Sequence, residues 1–598
     1  MEIYLIGLII LGGLTLFNLV VGVSNDAVNF LNSSFGARVA SRRVIMIIAS
    51  LGVMIGVTFS SGMMEVARKG IFNPSLFTMP DLMVIFMSVM LTNVFLLDLF
   101  NTFGLPTSTT VSIVFDLLGA AVAVSIVKVM NQEGGLARLG EYINTATALV
   151  IIAGILLSVA VAFVVGSFVQ FVTRLIFTFD FERRLKRYGA IWGGAALVSI
   201  VYFILIKGAK GTSFLSDQNL HWIRTHSMTI ILMCFLACAS ILQILMAFFK
   251  VNILKVIILA GTFALALAFA ANDLVNFIGV PLAGVDAYQS AASLNNPLTG
   301  TMGALQGTVR TNTLALLLAG LVMVVTLWMS KKAKAVMQTS LNLSRQDEGV
   351  EHFESSPLSR TIVRMGTAVA DSITRICPKK WRSVISRRID PSHFQTVRDR
   401  YEHEPSFDLV RAAVNLMVAS AVISFGTSMK LPLSTTYVTF MVAMGSSFSD
   451  RAWDRDSAVY RISGVLTVIG GWFFTALMAF TVSGIFAVIL YYGRGYAAVG
   501  LMALLVYLVF RNARLFRHKE GRTNALEVFN LKKIKEARSA ARTTFQHAGI
   551  FLEKVASTVE GSCEYLFNQD RQSLKKVRHQ SKEIQNWSNI IIANIFKV

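Results

Sequence analysis

Charge is what this sequence has least of. Only 15% of its 598 residues are charged and 54% are hydrophobic, whereas soluble domains carry about a quarter charged residues. A mean hydropathy of +0.61 points the same way, and the shortage excludes an ordinary soluble domain. Cysteine is scarce too. Cys234 and Cys238 lie in the apolar run 230–246 without histidine or further cysteine at ligand spacing, and Cys377 and Cys563 stand alone. A disulfide framework or zinc site is therefore not expected, and Cys234 and Cys238 read as small buried hydrophobes. No basic region precedes the first apolar run, 3–23, which reads as a retained membrane helix rather than a signal peptide. The short alternating segments of a membrane barrel are absent.

What is present is a series of long apolar runs. They fall at about 3–23, 44–62, 82–103, 107–128, 145–172, 190–207, 228–249, 254–271, 308–330, 407–428, 432–448, 462–490 and 496–511. A run of about 20 apolar residues spans the bilayer as a helix, so the pattern predicts an all-α polytopic membrane protein with about 12–13 transmembrane segments, some of them half-helices. The basic stretches 38–43, 174–187, 331–401 and 451–461 and the basic tail fall on one side if the spans alternate. The positive-inside rule makes that side cytoplasmic, with the N-terminus outside and the C-terminus inside. The net charge of +21 is thereby explained without nucleic acid as a partner. The expected partners are the lipid bilayer of the inner (plasma) membrane and a small solute, with a homo-oligomer left open.

An internal repeat organises the chain. Asn25-Asp26-Ala27-Val28-Asn29-Phe30 returns as Asn272-Asp273-Leu274-Val275-Asn276-Phe277, an offset of 247 residues (273 − 26). Leu105-Pro106-Thr107-Ser108-Thr109-Thr110 returns as Leu431-Pro432-Leu433-Ser434-Thr435-Thr436, an offset of 326 residues (435 − 109). The excess of 79 (326 − 247) is about the length of the polar loop that starts at Lys331. The domains expected are a first repeat over 1–250, a second over 251–330 and 407–511, a cytoplasmic loop over 331–406 and a helical tail over 512–598. By span parity the segment before Asp26 runs inward and that before Asp273 outward. Inverted repeats with interrupted helices and a central site are the architecture of secondary transporters.

The repeated residues carry a chemistry. An intramembrane carboxylate is costly and is usually functional and partnered. Each aspartate has two asparagines within three residues, Asn25 and Asn29 or Asn272 and Asn276, and the latter of each pair lies one helical turn on. The carboxylates of Asp26 and Asp273 suit sodium, and the carboxamides suit an oxyanion. Ser108, Thr109 and Thr110, like Ser434, Thr435 and Thr436, follow a proline as at a helix start, where N–H groups and hydroxyls attract anions. One copy of either motif would read as a helix cap; two copies in register read as a site.

Both motifs resemble those of the PiT family of inorganic phosphate transporters. Its duplicated motif is a Gly- or Ala-preceded Asn-Asp with Asn three residues on, close to Ala271-Asn272-Asp273-Leu274-Val275-Asn276 and, more loosely, Gly22 to Asn29. Its Pro-x-Ser-Thr-Thr motif matches Pro106 to Thr110 and Pro432 to Thr436, and Glu65 resembles an acidic position at the end of its second helix. The resemblance covers roughly 1–330 and 405–490 and implies phosphate import by cation symport, with no enzymatic activity and no cofactor beyond the coupling ion. The family commonly has His after Ser-Thr-Thr; here Val111 and Tyr437 stand there, which favours sodium over the proton. The alternatives are a sulfate or other oxyanion transporter, a lipid-phosphate enzyme and a membrane phosphate sensor. The tail resembles, in helical pattern and basic charge, the PhoU-like domains attached to some relatives and suggests a regulatory or scaffolding role.

Overall fold

The computed structural model describes residues 1–64, 66–105, 107–130, 138–202, 217–307, 313–344, 408–450, 455–526 and 537–568, with scattered positions in 357–388 and 570–584. Glu65, Pro106, Ile534 and nearly all of the loop after 344 lie outside them. The chain forms two compact units, Met1–Val509 and Phe510–Val598.

The first unit contains α1 (Glu2–Gly36), α2 (Arg42–Gly56), α3 (Met79–Phe103), α4 (Thr109–Met130), α5 (Leu139–Tyr142), α6 (Thr145–Phe177), α7 (Phe181–Val201), α8 (Asp217–Thr225), α9 (Ser227–Phe248) and α10 (Ile253–Ala292). It continues with α11 (Thr313–Met329), α12 (Lys332–Ser344), α13 (Leu409–Ser428), α14 (Thr435–Ser449) and the residues up to Val509 of the long α15 (Arg455–Leu526). Among the described residues, each of the thirteen apolar runs overlaps a helix. Among the described residues nine helices are long and apolar enough to cross a membrane, or ten if α11 and α12, bent by 71°, count as one span. That is fewer than the twelve or thirteen spans expected, for physical reasons. Helix α14, with 15 residues, is about 22 Å long, short of a hydrocarbon core of about 30 Å. Helix α7 opens on a charged turn. The runs 462–490 and 496–511 share α15, broken only at Arg494 (φ 48°, ψ −131°).

Helices α1 and α10 form the centre. They cross antiparallel: Asn18 donates to the Asn276 carbonyl at 3.3 Å, and Phe30 packs on Phe269 with centroids 5.1 Å apart. Helix α3 runs parallel to α1, joined by Asn93 to Asn18 at 3.1 Å and Asn25 to Asn101 at 2.7 Å. Helix α13 runs parallel to α10, with Leu416 against Gly261 and Thr427 bonded to Asn272 at 3.3 Å. Two helical hairpins result, α3–α4 and α13–α14. An ion pair pins the base of the first, Lys128 to Asp81 at 2.5 Å. Fully buried Arg174 of α6 pins the second, reaching Asp450 at 2.8 Å and Asp408 at 2.6 Å. Arg174 thus serves as an internal anchor and not as the loop charge counted in the orientation argument.

Helix α9 has most of its apolar flank uncovered, and Cys234 and Cys238 are half-exposed on it rather than buried. Its side chains face where lipid would be. The second unit holds α16 (Ala537–Phe567). Phe551 and Val555 are half-covered while Phe545 and Leu552 are exposed.

Close packing of α2 on α10 depends on Gly52 and Gly56, a small-xxx-small pair. A Cβ at either would lie 2.4 Å from a carbonyl oxygen of α10, that of Phe263 or Leu267. Neither backbone can yield without shifting a whole helix. Gly56→Leu is expected to lower stability by about 1–3 kcal/mol, read as earlier thermal loss of the monodisperse peak in detergent. A similar substitution at Gly12, with nothing within 4 Å, is the control and should leave the peak unchanged.

Candidate functional site

Asp26 and Asp273 do not end their helices. Each lies in the interior of a continuous one, α1 or α10, and each is fully buried. The interruptions lie instead at the hairpin tips, 104–108 between α3 and α4 and 429–434 between α13 and α14. Span parity would set these tips on opposite membrane faces. The structure brings both to the aspartates, so each hairpin turns back inside the protein.

The residues that start α4 and α14 divide their work. Ser108 and Ser434 are helix caps, their hydroxyls accepting the N–H of Val111 and of Tyr437, each at 3.1 Å. The threonines that follow point elsewhere. Thr109 donates to Asp26 at 2.8 Å and Thr436 to the same carboxylate at 3.2 Å. Thr110 donates to Asp273 at 2.9 Å, and Thr435 also donates to Asp273. Each carboxylate therefore takes one hydroxyl from the hairpin beside its own helix and one from the other hairpin. Two helix N-termini, favourable for negative charge, converge on the same pair.

The asparagines complete the pattern. Asn29 donates to Thr435 and Thr436 at 3.1 and 3.0 Å. Asn276 reaches Thr109 and Thr110 at 3.3 and 3.0 Å, and Asp273 at 3.0 Å. Each therefore serves the other half's hairpin, across the junction. Asn272 donates to Asp273 at 2.9 Å and to the Leu433 carbonyl at 2.7 Å. Asn25 has a different task. It accepts from the Thr107 N–H at 3.1 Å and donates to Asn101, which ties down the first tip without touching Asp26. Glu65 lies outside the described residues.

Several polar residues near the site escaped the sequence argument. Asn18 and Asn32 are two of these; with Asn25, already named, they recur every seven residues along apolar α1, one face by spacing, a readable signal. Asn101 and Thr475 had none, because their roles depend on tertiary contact: Thr475 meets Thr107 at 2.9 Å. Tyr437, where a histidine was looked for, stacks on Trp472 with centroids 3.8 Å apart.

Known proteins resemble this chain in sequence and in fold. The chain is 27% identical over 277 residues to a candidate phosphate permease of Pyrococcus abyssi, covering 44% of this chain and 62% of the relative. It is 26% identical over 270 residues to one of Pyrococcus furiosus, covering 44% and 61%. The chain thus matches less than two thirds of the length of these relatives. A solved structure titled "The sodium-dependent phosphate transporter" shares the fold, with a TM-score of 0.54 at 18% identity over 82% of this chain and 99% of the other. The family model described as "Phosphate transporter family" matches residues 22–340, more than half the chain, a stretch that holds both Asn-Asp motifs and the first hairpin. The chain belongs to the phosphate transporter family.

Proposed function

We propose that this protein carries inorganic phosphate across the membrane together with a cation, sodium in preference to the proton, by alternating access between two inverted halves. One observation carries the reading: the four hydroxyls best suited to a tetrahedral oxyanion are directed at two buried carboxylates. A hydroxyl has a single proton to donate. While Thr109, Thr110, Thr435 and Thr436 serve Asp26 and Asp273, they cannot serve phosphate. A hard cation on the carboxylates takes over their charge and releases the hydroxyls to turn toward phosphate oxygens. Asn29 and Asn276 lie one step behind and add amide donors. Cation and anion therefore compete for nothing and each favours the other, a coupling that for such linked sites is typically about 1–3 kcal/mol.

Phosphate near neutral pH retains a proton that it can donate to a carboxylate, which sulfate lacks; two aspartates beside the hydroxyls therefore favour phosphate. Carboxylate and carboxamide oxygens suit a hard cation, and Val111 and Tyr437 supply no imidazole to relay protons. The names of the relatives and of the structural neighbour point to the same substrate and, for the neighbour, to sodium. The antiparallel pair α1 and α10, each with its parallel hairpin arm α3 or α13, supports the inverted halves. The chemistry is that of a carrier, which binds and releases without breaking a bond. We read the α12 face as cytoplasmic and the membrane as the plasma membrane.

In liposomes, Asp26→Asn or Asp273→Asn should abolish cation-driven phosphate uptake while the protein still elutes as a folded species. Normal coupled uptake by both variants would remove the aspartates from the mechanism. Thr109→Val and Thr435→Val each keep the shape and delete one donor, at a cost of about 1–3 kcal/mol, or roughly 5- to 150-fold in apparent phosphate affinity. Unchanged affinity would reduce these threonines to structural residues. A sodium gradient alone should drive uptake of radiolabelled phosphate; uptake that persists without sodium and collapses with a protonophore assigns the coupling to protons.

A further inference from the structure

Beside the aspartate pair, on the α12 face, lies a small cavity. Asn29, Asn32, Ser340, Asn415, Thr436 and Thr439 give it its polar wall. It begins at two residues of the site, Asn29 and Thr436, and ends at α12. Asn32 and Asn415 are more than nine-tenths buried. The Asn32 carbonyl oxygen and the Asn415 amide nitrogen have no partner. An unpaired buried acceptor and an unpaired buried donor each cost about 1–3 kcal/mol, and such groups in one cavity call for a ligand that both accepts and donates. A water molecule does both, and so does a protonated oxyanion. The space, about 20 Å³, is room for one water molecule and too small for phosphate.

Helix α12 is what keeps it small. Asn32 donates to Ser340 of α12 at 3.0 Å. Lys332, at the start of α12, meets Asp98 of α3 at 2.6 Å and Thr102 at 3.2 Å. Thr339 donates to the carbonyl of Gly104 at 2.9 Å. Gly104 is the left-handed residue that turns the first hairpin tip (φ 69°). One short helix thus holds α1 beyond Asp26, the last turn of α3 and the tip that presents Thr109 and Thr110. It joins α11 at an angle of 71°, across Ser330, which caps α12 through the Ala333 N–H at 3.2 Å.

We propose that this cavity is the release station for the transported oxyanion and that α12 is its door, latched by Lys332 and Asp98. The inference rests on the phosphate reading given above. When the latch opens, α12 turns about its junction with α11, Asn32 loses Ser340, and the cavity widens toward the α12 face. The oxyanion then passes from the threonines to Asn415 and Asn32. Asp98 is nearly inaccessible to solvent, so the latch holds strongly while paired and its partner is poorly tolerated alone.

The test uses the full chain with its four native cysteines replaced by serine and Ser340→Cys as reporter. Labelling by a membrane-impermeant maleimide, from the α12 face, should be slow in this background. Adding Asp98→Asn or Lys332→Met should speed it by at least roughly fivefold, the lower end of a typical coupling effect. Labelling that is as fast before as after unlatching, or unchanged by either substitution, overturns the door. The station is tested separately. Asn415→Leu should slow phosphate exchange across liposomes by about tenfold, while equilibrium phosphate affinity in detergent shifts by less than about twofold. Wild-type exchange by Asn415→Leu, or an equal loss of affinity and rate, overturns the station. If the parent protein binds no radiolabelled phosphate, the substrate reading fails, and the labelling arm still reports on α12.

Discussion

A carboxylate taken out of water must find donors within the protein, and this chain takes out two at one place. Much of the structure follows from that need. Asp26 and Asp273 lie in the middle of continuous helices, where every backbone N–H is already committed to the helix ladder. Donors must come from side chains: Asn272 and Asn276 of the same helix serve Asp273, and the hydroxyls for both carboxylates come from other elements. The hairpins α3–α4 and α13–α14 supply them by turning back inside the protein, so that the first two residues of α4 and of α14 carry their hydroxyls to the pair. Serine at each cap fixes the helix start, and the two threonines beyond it are thereby aimed at separate carboxylates. The cross-over of donors between halves means that neither half completes its site alone.

The hairpins are built to be firm at the base and replaceable at the tip. Lys128 with Asp81, and Arg174 with Asp408 and Asp450, hold the bases by charge. At the tips the contacts are neutral-to-carboxylate hydrogen bonds, which a ligand of the right kind can take over one by one. Hydroxyls exchange partners by rotating about one bond. The distribution suits a site that must bind and release repeatedly while its frame stays in place.

Much of this was legible from the residues. Two motif copies at related offsets identify the partners, and apolar runs identify the helices, because both are local patterns. The sequence could not reveal that both hairpin tips meet, since counting spans assumes that every apolar run crosses. Helix α14 does not: its 15 residues stop short. Nor could it separate Asn25, which holds a tip, from Asn272, which contacts its aspartate, although the motifs are identical there. The difference comes from Asn101, an unremarked residue of α3. Likewise Arg174 reads as one more basic loop residue until Asp408 and Asp450, more than two hundred positions away, fold against it.

The two ends of the site are closed by corresponding segments of unlike build. Asn32 and Gly279 are separated by the same 247 residues as the aspartates (279 − 32). Ser340 of α12 covers Asn32 through a hydrogen bond. Around Gly279 the cover is apolar: a Cβ there would lie 3.1 Å from that of Ala67 and 3.7 Å from the sulfur of Met64. Ala67 belongs to the irregular stretch between α2 and α3, just as α12 follows α11 and precedes α13. Near Asn32 the neighbouring groups are polar, with the Lys332–Asp98 pair close by, whereas the side chains a Cβ at Gly279 would meet are those of Val275, Ala67 and Met64. The extra 79 residues of the second half (326 − 247) enter the chain directly behind the latched closure. A hydrophobic seal resists solvent on both sides equally, whereas an ion pair responds to charge brought near it. Among the described residues of these two segments, α12 carries the ion pair on which nearby charge would act.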